Sequence, residues 1–113
     1  MSQFIILPHF YRQLKQLVKK YRHLKAAVIE VLENFDKNKQ THLGQNVFKI
    51  RLRTKDISRG KSKSFRLIVL VVESGIYLVP ITIYFKGDRE DISPKELNIH
   101  LESILLELRS QNL

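Results

Sequence analysis

Phe65-Arg66-Leu67-Ile68-Val69-Leu70-Val71-Val72 is a nearly continuous apolar run with one charge at its entrance. It has the length of a strand, and a run this apolar fits a strand covered on both faces. Glu73-Ser74-Gly75 then predicts a tight hairpin, and Ile76 to Lys86 predicts the returning strand. Pro80 has no N–H for a ladder, so that strand should lie on an edge there or carry a bulge. Upstream, Phe48, Ile50 and Leu52 alternate with Lys49, Arg51 and Arg53, which is the period of a half-buried strand. Together these segments predict an antiparallel meander.

The flanks read as helices. Gln3 to Leu7 predicts a short strand ended by Pro8. Phe10, Leu14, Leu17, Val18 and Tyr21 then follow helical spacing, and Leu24, Val28, Val31, Leu32 and Phe35 repeat it, predicting a helical hairpin. Ser93-Pro94-Lys95-Glu96 has the serine, proline and glutamate of a capping box. It opens a last helix with the stripe Leu97, Leu101, Ile104, Leu105 and Leu108. The expected order is β-α-α-β-β-β-α, an α+β fold in which a helical hairpin and a C-terminal helix pack on the meander, with residues 1–113 forming one domain.

Composition narrows the function. Of 113 residues, 20 are Lys or Arg and 11 are Asp or Glu, a net charge of +9, so an anionic partner is the first expectation. Most of the excess sits in two blocks: residues 1–25 hold six basic and no acidic residues, and residues 49–66 hold eight basic and one acidic. The chain has no cysteine, which excludes a disulfide framework and thiolate chemistry. The longest apolar run falls far below the roughly 20 residues of a membrane span, and the N-terminus lacks the order of a signal peptide. The expected location is the cytoplasm, with no membrane partner.

The strand of residues 49–53 puts Lys49, Arg51 and Arg53 on one face, and stacked like charges are best explained by an anion lying across them. A solvated, solubilising face is the plainer alternative. Lys55, Arg59, Lys61 and Lys63 in the following polar loop extend the same groove as candidate RNA-binding residues, and Arg66 opens the adjacent strand. Residues 49–66 contain only Asp56 as a carboxylate, so no metal centre is expected there. Asp88, Glu90 and Asp91 read as acids favouring a helix N-terminus, and His100, beside the apolar stripe, as a packed structural histidine. A site made of cations alone can still cleave RNA, whose own 2′-hydroxyl attacks the neighbouring phosphate. Arginines stabilise the charge that develops, and a lysine crowded by arginines can exchange a proton. Lys49, Arg51 and Arg66 fit these roles, and no cofactor is called for.

The chain also resembles RelE-type toxins of bacterial type II toxin-antitoxin systems over nearly its whole length. The likeness rests on Phe10-Tyr11-Arg12-Gln13-Leu14-Lys15-Gln16-Leu17 with Lys19-Lys20-Tyr21, and on Val47-Phe48-Lys49-Ile50-Arg51-Leu52. It continues in Gly60-Lys61-Ser62 leading to Phe65-Arg66-Leu67-Ile68, and in Ile83-Tyr84-Phe85-Lys86 before Asp91-Ile92-Ser93. The resemblance implies a RelE/ParE-like fold, a ribosome-dependent endoribonuclease that cuts mRNA, and a cognate antitoxin as partner. It implies catalytic roles for Lys49, Arg51 and Arg66, with Lys86 or Arg89 as the basic residue after the last strand. The family's tyrosine a few residues further on has no counterpart in Glu90-Asp91-Ile92-Ser93, and Tyr84 lies earlier. Gyrase-inhibiting ParE relatives share the fold, so a gyrase-binding inhibitor and a plain basic RNA-binding module stand as alternatives. The last helix is expected to be loosely held and open to competition from an antitoxin helix, or else simply to complete the core.

Overall fold

The computed structural model describes residues 3–55, 64–72, 77–87 and 91–111. Their order is β1 (Gln3–Phe4), α1 (Pro8–Val18), α2 (Leu24–Glu33), a 3-10 turn, β2 (Thr41–Gly44), β3 (Val47–Leu52), β4 (Phe65–Val72), β5 (Tyr77–Phe85) and α3 (Pro94–Ser110). The strands form one mixed sheet in the order β1-β5-β4-β3-β2, with β1 parallel to β5 and the other pairs antiparallel. This is an α+β architecture with helices on both faces of the sheet.

One element escapes the periodicity. Thr41–Gly44 is a strand paired with β3, so the expected four strands are five. It is short and largely exposed, and therefore shows no hydrophobic alternation. The signal lay in its turn: Gln45 and Asn46 both take positive φ (51° and 65°), as a two-residue hairpin loop requires, and Gly44 precedes them at φ 100°. The predicted first strand is also shorter than Gln3 to Leu7, because Pro8 starts α1 rather than merely ending the strand. The expected Glu73-Ser74-Gly75 hairpin lies outside the described residues.

The helical hairpin covers the face of the sheet that carries Phe48, Phe65 and Phe85. Tyr21 packs edge-on against Phe65, with ring centroids 4.9 Å apart, and against Phe85 at 5.5 Å. Phe35 meets Phe48 edge-on at 5.7 Å. α3 contributes the fully buried Ile104 together with Leu108, so it is part of the core, whereas Leu105 is exposed although it was expected in the stripe. A seventeen-residue helix drifts around its own axis, and only one face can stay on the sheet. Ser93 Oγ accepts from the Glu96 N–H at 3.1 Å, as the capping box predicts. Among the described residues no helix is long and apolar enough to cross a membrane.

α1 and α3 meet through a polar clasp. The helix start at Leu7-Pro8 has no side-chain cap of its own, and the His9 N–H donates instead to both carboxylate oxygens of Glu107, at 3.0 and 3.1 Å. His9 Nε2 lies 2.8 Å from His100 Nδ1, and His100 Nε2 lies 3.8 Å from Glu96. The structural reading of His100 therefore holds, with a specific partner. Burial, then the His100 ring, push the His9 pKa below its ordinary 6.5; Glu107 opposes this and Arg12 adds to it. A histidine that resists protonation when folded favours the folded state above its ordinary pKa. That contribution shrinks as pH falls through 6.5 toward the lower folded value. The melting temperature of the wild type should consequently fall more between pH 7 and 5 than that of His9→Gln. Parallel profiles by circular dichroism would show that the clasp does not titrate.

Candidate functional site

Pro80 sets the site. From Val72 back to Val69, β4 pairs with Tyr77 to Pro80; Ile68 then pairs with Thr82, so Ile81 is an extra residue in β5. A bulge of this kind is the outcome Pro80 predicts, and β5 also has a free edge here, since β1 pairs only with Tyr77 and Leu78. The bulged Ile81 carbonyl accepts from Gln13 Nε2 of α1 at 3.2 Å, and Thr82 Oγ1 donates to Gln13 Oε1 at 2.5 Å. The extra residue shifts the register by one, and a one-residue shift exchanges the faces of every side chain beyond it. Arg66 is thereby paired with Tyr84 instead of Ile83.

Arg66 also pairs with Arg51 on β3, so Arg51, Arg66 and Tyr84 form one cross-strand row. Lys49, two residues from Arg51, lies on the same face, opposite that of Phe48, Ile50 and Leu52. The structure thus brings Lys49, Arg51 and Arg66 together. Arg66 is only 5% exposed, as suits a strand covered on both faces. Its Nη1 donates to Ser64 Oγ and, at 3.4 Å, to the Phe65 carbonyl, which turns the guanidinium along the sheet. Burial first and the Arg51 charge second push its pKa down, partly offset by Tyr84 and Asp91.

Two residues to which the sequence reading gave no place in the site complete the cluster. The Tyr84 hydroxyl donates to Asp91 Oδ1 at 2.7 Å, and the Ile92 N–H donates to the same oxygen at 2.8 Å. Lys49 Nζ lies 3.7 Å from Asp91 Oδ2. These bonds hold the Asp91 carboxyl below its usual range, the tyrosine hydrogen bond contributing most. Burial and then the bond to Asp91 push the Tyr84 hydroxyl up, so it stays protonated and acts as a donor. Asp91 is therefore an internal counterion of the cationic face, beyond its place ahead of α3.

The other candidates are spread around this centre. Arg53 and Lys55 are exposed where the chain leaves β3. Lys86 is half-buried, and its N–H donates to the Ser64 carbonyl at 2.8 Å, beside the serine that holds Arg66. Arg59, Lys61, Lys63 and Arg89 lie outside the described residues. Among the described residues no three His, Asp or Glu side chains converge as metal ligands. Beside Lys49 and Asp91 opens a cleft of about 290 Å³ between the β2–β3 hairpin and α3.

No protein-family profile matches the sequence, and no curated protein matches it. The structure is similar to that of the E. coli toxin RelE in the free state, solved as a variant with two arginines changed to alanine. The match has 18% sequence identity and a TM-score of 0.46, and covers 99% of this chain and 98% of that one.

Proposed function

We propose that this protein is a RelE-type toxin, a ribosome-dependent mRNA endoribonuclease held in check by a cognate antitoxin. The observation that carries the reading is the set Lys49, Arg51 and Arg66 on one sheet face, with a carboxylate, Asp91, already seated among its cations. A row of cations that already draws one carboxylate to its edge suits an RNA phosphate lying beside it. The sequence resemblance to RelE-type toxins agrees with it.

In this reading the RNA supplies its own nucleophile. The 2′-oxygen attacks the adjacent phosphorus and forms a 2′,3′-cyclic phosphate, while the bond to the 5′-oxygen breaks. Arg51 and Arg66 stabilise the extra charge on the phosphorane-like transition state, and Lys49 gives a proton to the departing 5′-oxygen. Solvent takes the proton of the 2′-hydroxyl. Arg53, Lys55, Arg59, Lys61 and Lys63 are assigned contacts with the RNA backbone, and Lys86 or Arg89 is assigned the further basic role in the site.

Expression in bacteria is expected to arrest growth and to generate new 5′ ends inside coding regions, read by primer extension. Lys49→Ala should abolish both. The burial of Arg66 and the missing late tyrosine favour one other reading, a ParE-like gyrase inhibitor. Arrest with intact mRNA and inhibited gyrase would establish that reading instead.

A further inference from the structure

The cleft next to the cationic row has walls of one kind and a mouth of another. Leu43 and Val47 of the β2–β3 hairpin face Leu97 and Leu101 of α3, and Lys49 and Asp91 stand at the opening. The hairpin wall is fixed by its two-residue turn at Gln45 and Asn46, and the helix wall by the Ser93 cap at the start of α3. At about 290 Å³ the cleft accepts a planar ring but not a helix.

Resting on the nuclease reading, the geometry points to a nucleobase subsite: the cleft takes the base attached to the phosphate held at Lys49 and Arg51. Three observations favour a base. Apolar walls suit a ring face. A cationic neighbour suits the phosphate that every nucleotide carries, which an apolar amino-acid side chain does not. The lining also carries polar groups for a base edge: Lys49, Asp91 and the exposed Asn98, whose amide offers a donor and an acceptor.

The rim also carries a preference. Asp91 is ionised near neutral pH and accepts hydrogen bonds without donating any. Guanine offers adjacent N–H donors from its ring and its amino group. Uracil offers a single N–H between two carbonyls that a carboxylate repels. The cleft therefore selects guanine over uracil.

A titration of the full chain with 5′-GMP and 5′-UMP, followed by methyl and backbone nuclear magnetic resonance, tests this. GMP should shift the methyl signals of Leu43, Val47, Leu97 and Leu101 and bind about fivefold or more tightly than UMP. Leu97→Trp, which fills the cleft, should remove the methyl shifts while the Lys49 signal still responds to inorganic phosphate. The exposed Asn98→Ala should weaken GMP binding in a fold that is not perturbed. Shifts at Lys49 and Arg51 without shifts in the cleft would overturn the subsite, as would methyl shifts from a leucine-rich peptide but from neither nucleotide. Cut-site mapping separates the two claims. Cleavage with the same base distribution in wild type and Leu97→Trp sinks the subsite alone. Absence of cleavage sinks the nuclease reading, while the titration still decides whether the cleft binds a base.

Discussion

Arg51→Ala is expected to lower mRNA cleavage by about 10²- to 10³-fold, the usual cost of removing one donor aimed at a developing oxyanion. The same change should leave the protein at least as stable as the wild type. Arg51 stands directly opposite Arg66, and like charges opposed across an antiparallel pair destabilise it. The Arg51 charge also opposes the protonated form of Arg66, whose guanidinium is buried. Arg51 itself is exposed, so solvent screens much of this repulsion, and the gain is on the order of a few tenths of a kcal/mol. Activity and stability thus move in opposite directions. Thermal melts and a ribosome-programmed cleavage assay on the purified variant read both. Cleavage within threefold of the wild type would remove Arg51 from the site, and a clear loss of stability would show that the pair is structural. Arg51→Lys should keep part of the activity and most of the repulsion, because it retains charge without the planar fork.

This opposition explains why the charged face was legible from sequence. Lys49, Arg51 and Arg53 alternate with apolar residues and so stack like charges on one face of a strand, and a local rule broken in this way points to a ligand. Arg66 stood out as the one charge in an otherwise apolar run. Tyr84 did not stand out, because its face is set by the extra residue Ile81. A hairpin counted without that bulge puts Ile83 beside Arg66 and turns Tyr84 toward the helices. Pro80 announced a bulge or an edge, but not on which side of the register the following residues would fall. Asp91 was hidden for a different reason: an acid ahead of a capping box already has a local explanation. Its contacts with Tyr84 and Lys49 are tertiary and carry no periodicity. β2 was missed because a four-residue exposed strand has no buried face to pattern.

The same sheet predicts where the fold is most vulnerable. Phe65 is fully buried at the start of β4, edge-on to Tyr21 and 5.1 Å from the Phe85 ring. Phe65→Ala removes the fully buried member of that aromatic trio and is expected to cost about 3–5 kcal/mol, the range for a phenylalanine truncated in a packed core. At this chain length each kcal/mol is worth roughly 4 °C, so the melting temperature should fall by about 12–20 °C. The loss reaches the site, because Phe65 precedes Arg66 on the opposite face and its carbonyl accepts from the Arg66 guanidinium. Loosening the β4 start frees the backbone that orients both Ser64 and Arg66. Cleavage should therefore decline at temperatures below the melting transition of this variant. Ile104→Ala empties the other layer under α3, so it should lower the melting temperature without that early decline. Melts by circular dichroism, paired with cleavage measured across temperature, compare the two. An equal early decline in both variants would mean that the site depends on global stability and not on the local start of β4.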